Sequence, residues 1–336
     1  MRTRRTLRDV AEAVGVHVST VSRALDPRTR AMVNARLAAQ ILAAAAALDV
    51  RPDAIAASLR TRRSRTIGVL LPDITNPIFP PMVRGLEDHL LPLGYLAVII
   101  NTDNDPAQAA AAVSMLRGRG VEGIVLASAT LDDPLLAALL AAELPVVAVN
   151  RTSALPGLSA VTHDDAGGIG LVVAHLLGLG HRGIGHIAGP AELSTGSARE
   201  LAFDTALAAA GLAGAKVTAA RFTEAEGRQR AHQLLDTAPR VTAIVAANDL
   251  LAVGAMAALA ERGLACPGQV SVTGFNDMPL VDRLSPALTT VHIQLHESGR
   301  LAAAAVCALI DGAPGASNQV LPVRLVVRAS TAPPGG

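Results

Sequence analysis

Several residue types are scarce in this chain of 336 residues, and each scarcity narrows what the protein can be. There is no Trp, one Tyr and four Phe, so a large core must consist of aliphatic side chains. The two cysteines, Cys266 and Cys307, lie far apart and outside any metal-binding spacing. This excludes a disulfide-rich scaffold, and we expect reduced thiols in a cytosolic protein.

Long apolar runs are also missing. No stretch approaches the roughly 18 to 20 apolar residues that a membrane-spanning helix requires. No apolar signal-peptide core follows the N-terminal sequence MRTRRTLRDV. We therefore expect a cytoplasmic protein.

What the chain does contain is a strong asymmetry of charge. Residues 1–65 carry 13 basic and 5 acidic side chains, a net charge of +8, whereas residues 66–336 carry 16 basic and 23 acidic side chains, a net charge of −7. A basic head on an acidic body predicts that the head binds a polyanion. A solvated basic tail would explain the charge equally well. The length predicts two or three domains.

Residues 1–50 predict helices only. Thr6 and Asp9 have the spacing of a capping box, apolar residues follow at helical intervals, and Gly15 ends this first helix. A short second helix is predicted over 18–25. A helix, a glycine turn and a second helix are typical of a helix-turn-helix unit.

An Ala-rich third helix over about 35–48, with Asn34 as its N-cap, completes this unit. The connector that follows, residues 51–65, has the sequence RPDAIAASLRTRRSR and little apolar surface. Because short isolated helices are marginal in water, it is predicted to fold only against a partner.

From Thr66 onward, apolar runs alternate with helical stretches of about 12 to 15 residues. This alternation predicts parallel sheets with crossover helices, and about ten strands fit two doubly wound lobes better than one large sheet. The apolar runs are IGVLLP, YLAVII, GIVLAS, PVVAVN, GIGHIAG, TAIVAAN and VSVTGF.

The segment TLRDVAEAVGVHVSTVSRALD resembles the N-terminal signature of the LacI/GalR family. Further matching motifs follow in the family's order along nearly the whole chain: RPDAIAASL, NPIF, PVVAVNR, GHRGIGHIAGP, VAANDLLAVGA, SVTGFND, SPALTTV and LPVRLVVRAST. The resemblance implies an all-α helix-turn-helix headpiece, a hinge helix and an α/β core like that of periplasmic sugar-binding proteins. The domains it implies are a headpiece over 1–50, a hinge over 51–65, an N-terminal lobe over 66–161 plus 293–321, and a C-terminal lobe over 164–289 plus 323–331.

The same resemblance implies which headpiece residues bind DNA. Arg23 can give guanine two hydrogen bonds, and Val18 can contact a thymine methyl group, although Val18 can instead belong to the core. His17 stands where relatives carry a Ser N-cap and is expected to contact phosphate or only to end the turn. Leu59 matches a leucine that enters the minor groove as a wedge; the alternative is that it packs on the core. The implied set is Thr6, His17, Val18, Ser19, Thr20, Ser22, Arg23, Ala56, Leu59 and Arg60.

Candidate effector-binding residues follow the strands of the core, where ligands bind in doubly wound sheets. Arg199 is the foremost of them, with a structural salt bridge as the alternative. Asp249 is interpreted as the N-cap of a helix rather than as a ligand contact. The implied set is Asn76, Phe79, Asn150, Arg151, Thr195, Arg199, Phe222, Asn248 and Asn276.

Two positions depart from the family pattern. Many relatives have Asp at the position of Asn276 and Gln at that of Ile293, so the effector can be a sugar, a glycoside or an anionic metabolite. The expected function is an effector-responsive regulator, most plausibly a repressor, that binds a palindromic operator as a homodimer in the bacterial cytoplasm, at the nucleoid.

Two other classes of protein, transport binding proteins and enzymes, fit the sequence less well than a DNA-binding regulator. A transport binding protein needs export and carries no basic helical head. An enzyme is disfavoured because no glycine-rich segment fits a dinucleotide-binding turn and no nucleophile–base set is present. His292 and His296 have a metal-like spacing, but surface or capping roles are favoured. No cofactor and no metal are expected.

Overall fold

A computed structural model describes residues 5–26, 29–50, 63–313 and 316–335. The chain divides into two compact units, residues 1–64 and 65–336. In the first unit the described elements are α1 (Leu7–Val14), α2 (Val18–Leu25), a short 3₁₀ helix (Arg30–Met32) and α3 (Ala35–Ala47). The predicted helices of the headpiece are confirmed.

Local hydrogen bonds fix the ends of these helices. The Asp9 carboxylate accepts from the Thr6 backbone N–H at 2.5 Å and from the Thr6 hydroxyl at 3.0 Å, which confirms the predicted capping box. Gly15 ends α1 with φ +73°, a conformation that glycine adopts without steric cost. The Asn34 side chain accepts from the backbone N–H of Arg36 at 3.0 Å, confirming the N-cap of α3.

The three helices bury a small aliphatic core. Its members lie at helical spacing on the inner faces of the helices, with Val50 just beyond α3: Val10, Ala11, Val21, Ala24, Ala38, Ile41, Ala45 and Val50. At roughly 25 cal/mol per Å² of buried apolar surface, this cluster is what keeps three short helices folded, because helices of this length are marginal alone.

The second unit contains the remaining elements. In chain order they are β1 (Thr66–Leu71), α4 (Phe79–Leu90), β2 (Leu96–Asn101), α5 (Pro106–Gly118), β3 (Gly123–Leu126), α6 (Pro134–Ala141), β4 (Val146–Val149), β5 (Ser159–His163), α7 (Asp165–Gly178), β6 (Ile184–Ala188), α8 (Ser194–Ala209), β7 (Ala215–Thr218), α9 (Glu224–Thr237), β8 (Ala243–Ala246), α10 (Asp249–Glu261), β9 (Ser271–Asn276), β10 (Thr289–His292), α11 (Leu295–Ile310), β11 (Asn318–Leu321) and β12 (Arg324–Val326), with short 3₁₀ helices at Leu91–Leu93 and Val281–Arg283.

These strands form two six-stranded sheets. The first has the order β11-β5-β4-β3-β1-β2 and is parallel throughout, and the second has the order β12-β10-β9-β8-β6-β7, in which only β12 is antiparallel to its neighbour. The predicted architecture of two doubly wound lobes is confirmed. The chain passes from the first sheet to the second after β5, returns after β10, and passes across again between β11 and β12.

Both faces of each sheet are covered, as is usual for parallel sheets. In β1, for example, Ile67, Val69 and Leu71 point into one apolar cluster while Leu70 points into another on the opposite face. Small aliphatic side chains fill these layers, as the scarcity of aromatics requires. Within the described residues no helix is long and apolar enough to cross a membrane.

Candidate functional site

One cavity lies where the carboxyl ends of the strands of both sheets converge. Its volume is about 20 Å³, only slightly more than the roughly 10–15 Å³ that one water molecule requires. All nine effector-binding residues predicted from the sequence line it, together with Ile78, which the sequence analysis did not single out. The lining residues are Asn76, Ile78, Phe79, Asn150, Arg151, Thr195, Arg199, Phe222, Asn248 and Asn276.

The placement of these residues follows from the order of the strands. β1 and β4 of the first sheet are followed by Asn76 and by Asn150 with Arg151, whereas β8 and β9 of the second sheet end beside Asn248 and at Asn276. In parallel sheets such positions share one edge, the usual ligand-binding edge. The cavity therefore has one wall from each lobe.

Arg199 of α8 is buried, with 2% of its surface exposed. Its Nε and Nη2 lie 2.8 Å and 2.7 Å from one carboxylate oxygen of Asp165, and its Nη1 donates to the Ala247 carbonyl at 2.6 Å. The guanidinium also lies 3.7 Å from the centre of the Phe275 ring. Arg199 thus has the structural salt bridge that was its alternative role and still lines the cavity.

Arg151 of the first lobe is also buried, with 6% of its surface exposed, but its hydrogen-bond partners differ from those of Arg199. Its Nη1 donates to the Asn104 side chain at 2.9 Å, and its Nε has no hydrogen-bond partner among the described residues. No acidic side chain of the described chain forms an ion pair with it. Burial, with a further contribution from the positive charge of Arg199 and against the opposing negative charge of Glu192, lowers the pKa of Arg151 to about 10.

Asn276 presents an unused acceptor in the same cavity. Its side chain is 4% exposed, and its Oδ1 has no hydrogen-bond partner among the described residues. Its backbone has φ +119°, and Asn150 across the cavity has φ +66°. Non-glycine residues in such conformations are concentrated at functional sites, where the surrounding structure holds them in place.

Asn248 lines the cavity as predicted, but it also has the capping role that was predicted for Asp249. The prediction that Asp249 caps α10 was wrong: Asn248 is the N-cap, and its Oδ1 accepts from the Leu251 N–H at 2.9 Å. Asp249 is fully buried and accepts from the Thr290 hydroxyl at 2.5 Å and from the Met278 N–H at 2.7 Å. Only the amide group of Asn248 is left to serve a ligand.

Apolar side chains close the cavity on both sides. Phe79, at the start of α4, is 1% exposed, and Phe222 is half-buried on the opposite lobe. Phe222 packs so closely on the segment after β6 that a Cβ at Gly189 would lie 2.5 Å from a carbon of its ring. These rings offer flat faces for the apolar side of a small ligand.

Hydrogen bonds also join the two lobes at the rim of the cavity. The Leu131 N–H of the first lobe donates to the Glu192 carbonyl of the second at 2.9 Å, and the Thr152 N–H donates to the Ser194 hydroxyl at 2.9 Å. Thr152 directly follows Arg151, so the rim contact and the buried guanidinium belong to one short segment. The cleft is in a closed form.

In the headpiece, α2 has one apolar and one polar face. Val21 and Ala24 are buried and Val18 packs against the same core, whereas Arg23 is exposed and Ser19 is half-buried on the opposite face. Ser19 and Arg23 are four residues apart and therefore adjacent on the surface of the helix. The partly buried position of Val18 agrees with its alternative role in the core.

His17 caps α2, which the sequence analysis did not anticipate. Its Nδ1 accepts from the Ser19 N–H at 3.2 Å and lies 2.8 Å from the Ser19 hydroxyl. At the other end of α2, Thr29 and Arg30 donate to the carbonyls of Arg23 and Ala24 at 3.0 Å and 2.9 Å. The sequence does not predict the contacts of Thr29 and Arg30, because each joins two residues that are six positions apart in the chain.

Some predicted residues are committed elsewhere or lie outside the described residues. The Thr6 hydroxyl is already bonded to Asp9, while Thr20 and Ser22 are half-buried on α2. The hinge residues Ala56, Leu59 and Arg60 lie outside the residues that the structure describes.

The two histidines with metal-like spacing have separate acidic partners. His292 lies 2.9 Å from the Asp277 carboxylate and His296 lies 2.9 Å from that of Asp88. The part of the chain that the structure describes contains no cluster suited to a metal ion.

Comparisons with known proteins cover almost the whole chain. A family model described as a periplasmic binding protein-like domain matches residues 173–331. The chain is 32% identical over 327 residues to the ribose operon repressor of Halalkalibacterium halodurans, covering 97% of each protein. A solved dimer of the lac repressor bound to operator DNA and an anti-inducer has a TM-score of 0.86 at 28% identity, covering 98% of this chain and 99% of that one. A LacI-family regulator from Enterococcus faecium with bound ribose has a TM-score of 0.71 at 30% identity, covering 80% and 99%.

Proposed function

Since the chain belongs to the LacI/GalR family of DNA-binding transcription regulators, we propose that it is a repressor that binds a palindromic operator as a homodimer. A small molecule in the interlobe cavity controls that binding. The observation that carries this proposal is the gathering of nine residues, dispersed from Asn76 to Asn276 along the chain, around one buried cavity. The ligand would be a sugar, a glycoside or a related metabolite, as the ribose bound to the relative suggests.

The headpiece would read DNA through the polar face of α2. Arg23 would bind the O6 and N7 atoms of a guanine, and Ser19 would bond a neighbouring base edge. Thr20, Ser22 and His17 would contact the phosphate backbone, which positions the helix but does not specify sequence, and Thr6 would contact it only after releasing Asp9. Val18 remains a candidate for apolar contact with a thymine methyl group.

The connector would couple the headpiece to the cavity. Leu59 would enter the minor groove as a wedge between base steps, with Ala56 permitting close approach of the two connectors and Arg60 bound to phosphate. A ligand can change DNA affinity only by its differential affinity for the two forms of the protein. The closed cleft is one of these forms.

The domain boundaries belong to the same proposal. They are a headpiece over 1–50, a hinge over 51–65, a first lobe over 66–161 plus 293–321 and a second lobe over 164–289 plus 323–331. As with other bacterial transcription regulators, the protein would act in the cytoplasm, at the nucleoid.

The proposal is tested by a mobility-shift titration with a palindromic duplex from the promoter region of the protein's own gene and with a scrambled duplex. The Arg23→Ala variant should lose the preference for the palindrome while keeping weak binding to both. One good bidentate base contact contributes roughly 1–3 kcal/mol of discrimination, and a dimer would make two.

The matched control is Arg283→Ala, which removes an exposed arginine from the second unit and should keep the full preference. If the unsubstituted protein binds the scrambled duplex as tightly as the palindrome, with and without candidate metabolites, the proposed function is wrong.

A further inference from the structure

We infer that the molecule held in this cavity is a hydroxylated compound that carries one anionic group, a carboxylate or a phosphate, bound by Arg151. This rests on the proposed function, because it identifies the chemical class of the effector at the same site. It is argued from the charges and the unused hydrogen-bonding atoms around the cavity.

Two guanidinium groups, those of Arg151 and Arg199, line the cavity, and one carboxylate pairs with the second of them. Asp165 gives the same oxygen to two nitrogens of Arg199, at 2.8 Å and 2.7 Å, so that pair is complete. Arg151 is left with the neutral amide of Asn104. Glu192 is exposed and forms no ion pair with Arg151 among the described residues. The Glu192 carboxylate attracts Arg151 and opposes the lowering of its pKa, but among the described residues no carboxylate contacts the Arg151 guanidinium directly.

Asp249 does not supply the missing charge. Both of its carboxylate oxygens are engaged, one by Thr290 and the other by Met278. Burial raises its pKa to about 7, so a large part of it is neutral at physiological pH. The Arg151 guanidinium therefore has room for a direct anionic partner that the described residues do not supply.

Burying a cation without a counter-charge is costly, and proteins pair such groups when they retain them. The hydroxyls of a neutral sugar can accept the hydrogen bonds of Arg151 but leave its charge uncompensated. A carboxylate or phosphate satisfies both requirements, since its oxygens match the planar fork of the guanidinium. The free Nε is one of the two donors that such a fork uses.

Asn276 indicates that the ligand also carries a hydrogen-bond donor. Its unpartnered Oδ1 is an acceptor, and an anionic group has no proton to give it. The ligand must therefore carry at least one donor as well, and a hydroxyl is the simplest. Ile78, Phe79 and Phe222 supply the apolar surface for a compact carbon skeleton.

The position of Arg151 also gives the anion a regulatory effect. Arg151 belongs to the first lobe and Arg199 to the second, and their like charges repel across the cleft, although the Glu192 carboxylate of the second lobe opposes this effect on the pKa of Arg151. An anion between the lobes relieves that repulsion. Because Thr152 bonds to Ser194 at the rim, binding at Arg151 favours the closed form.

The test is isothermal titration calorimetry on the full-length protein with two matched sets of compounds. One set is ribose, ribonate and ribose 5-phosphate, and the other is glucose, gluconate and glucose 6-phosphate. In at least one set an anionic member should bind roughly tenfold to a hundredfold more tightly than the neutral sugar. Which anionic member binds distinguishes a carboxylate from a phosphate ligand. The inference is overturned if in neither set an anionic member binds more tightly than the neutral sugar.

Substitution of the arginine provides the second measurement. Arg151→Gln should lower the affinity for the anionic compound by a similar factor and leave that for the neutral sugar nearly unchanged, with Arg151→Lys intermediate. Arg283→Gln, at an exposed arginine, should change neither. An equal loss for the anionic and neutral compounds would show that Arg151 only shapes the site.

Thermal unfolding measured without ligand shows whether the substitution at Arg151 causes a folding defect. If Arg151 is an uncompensated buried charge, Arg151→Gln should melt at the same temperature as the unsubstituted protein or above it, and a marked drop would contradict the inference. Operator binding measured without ligand distinguishes a failure of this inference from a failure of the proposed function. Arg151→Gln should keep it, whereas loss of operator preference in the unsubstituted protein would refute the proposed function itself.

Discussion

At the scale of single residues, a buried carboxyl group with a strongly raised pKa directly follows the cavity-lining Asn248. Asp249 is 0% exposed, and burial raises its pKa from 3.8 to about 7, although hydrogen bonds from Thr290 and Met278 act against that rise. In the unfolded chain the group ionises near 3.8. The folded state therefore holds a proton that the unfolded state has lost over the interval between these values. The stabilising contribution of Asp249 is complete below the unfolded pKa and is lost as the pH rises through about 7.

We expect Asp249→Asn to remove this pH dependence. Its amide oxygen can accept from Met278 and its amide N–H can donate to Thr290, so the fold is retained. Relative to the variant, the unsubstituted protein should lose free energy of unfolding between about pH 5 and about pH 8, as measured by urea denaturation. His163 and His186, whose pKa values burial lowers to about 4, act in the opposite direction but are present in both proteins.

The control for this comparison is Asp282→Asn, at a largely exposed carboxylate, which should follow the unsubstituted protein at every pH. Parallel curves for the unsubstituted protein and Asp249→Asn would mean that Asp249 is ionised in the folded state throughout.

The sequence predicted the residues around the cavity better than their partners. The nine lining residues could be named because they follow strands whose carboxyl ends share one edge of a sheet. Asp165 and Asn104, which hold the two arginines, could not be assigned because their contacts cross 34 and 47 positions of the chain. For Asn248 and Asp249 the sequence offers two neighbouring polar residues before a helix, and only the backbone geometry decides which of them caps it.

At the scale of elements, each lobe contains a pair of helices in close contact through glycine. In the first lobe, a Cβ at Gly299 of α11 would lie 2.8 Å from the carbonyl carbon of Met82 in α4. In the second, a Cβ at Gly227 of α9 would lie 2.6 Å from the Cα of Leu251 in α10. Both distances are too short for any side chain. The pair in the first lobe also links the cavity to a crossover, since α4 begins at Phe79 and α11 follows β10.

Gly299→Ala should therefore destabilise the protein. An added methyl group in a closely packed contact costs about 1–3 kcal/mol, here because it must push two helix backbones apart. Denaturant unfolding measures the change. The matched control is Gly170→Ala in α7, where nothing lies within 4 Å of the added Cβ, and where the higher helix propensity of Ala should add about 0.5–1 kcal/mol. Equal effects of the two substitutions would show that α4 and α11 can separate at little cost.

Helix and strand positions were predicted well where the pattern is strong. The second helix was predicted at 18–25 and lies at Val18–Leu25, and the seven apolar runs correspond to strands. Five strands were not among these runs. Three of them, β7, β11 and β12, lie at sheet edges and are partly exposed, and the other two, β5 and β10, are short and rich in Ser, Thr and His. The glycine contacts were not predicted either, since no sequence period marks which glycines face another helix.

At the scale of the whole molecule, the distribution of charge predicts a strong dependence of DNA binding on salt. Residues 1–65 carry a net charge of +8 and the remainder −7, so attraction to phosphate is confined to the head. If a dimer makes 6–10 phosphate contacts, operator affinity should fall by roughly 10³–10⁵ between about 50 and about 200 mM salt. Fluorescence anisotropy with a labelled operator measures this slope. A flat response would refute the assignment of the basic head to DNA.

The two hydrogen bonds at the rim of the cavity have a consequence for how fast the protein responds. A molecule between the lobes can leave only after Leu131 separates from Glu192 and Thr152 from Ser194, so its dwell time is limited by the lifetime of these two links. Three of the four groups involved are main-chain atoms, which side-chain substitution leaves in place. Selectivity, by contrast, is set by the side chains within. The rate of ligand release and the selectivity for the ligand thus depend on different atoms. The selectivity can therefore change during evolution while the rate of release is preserved.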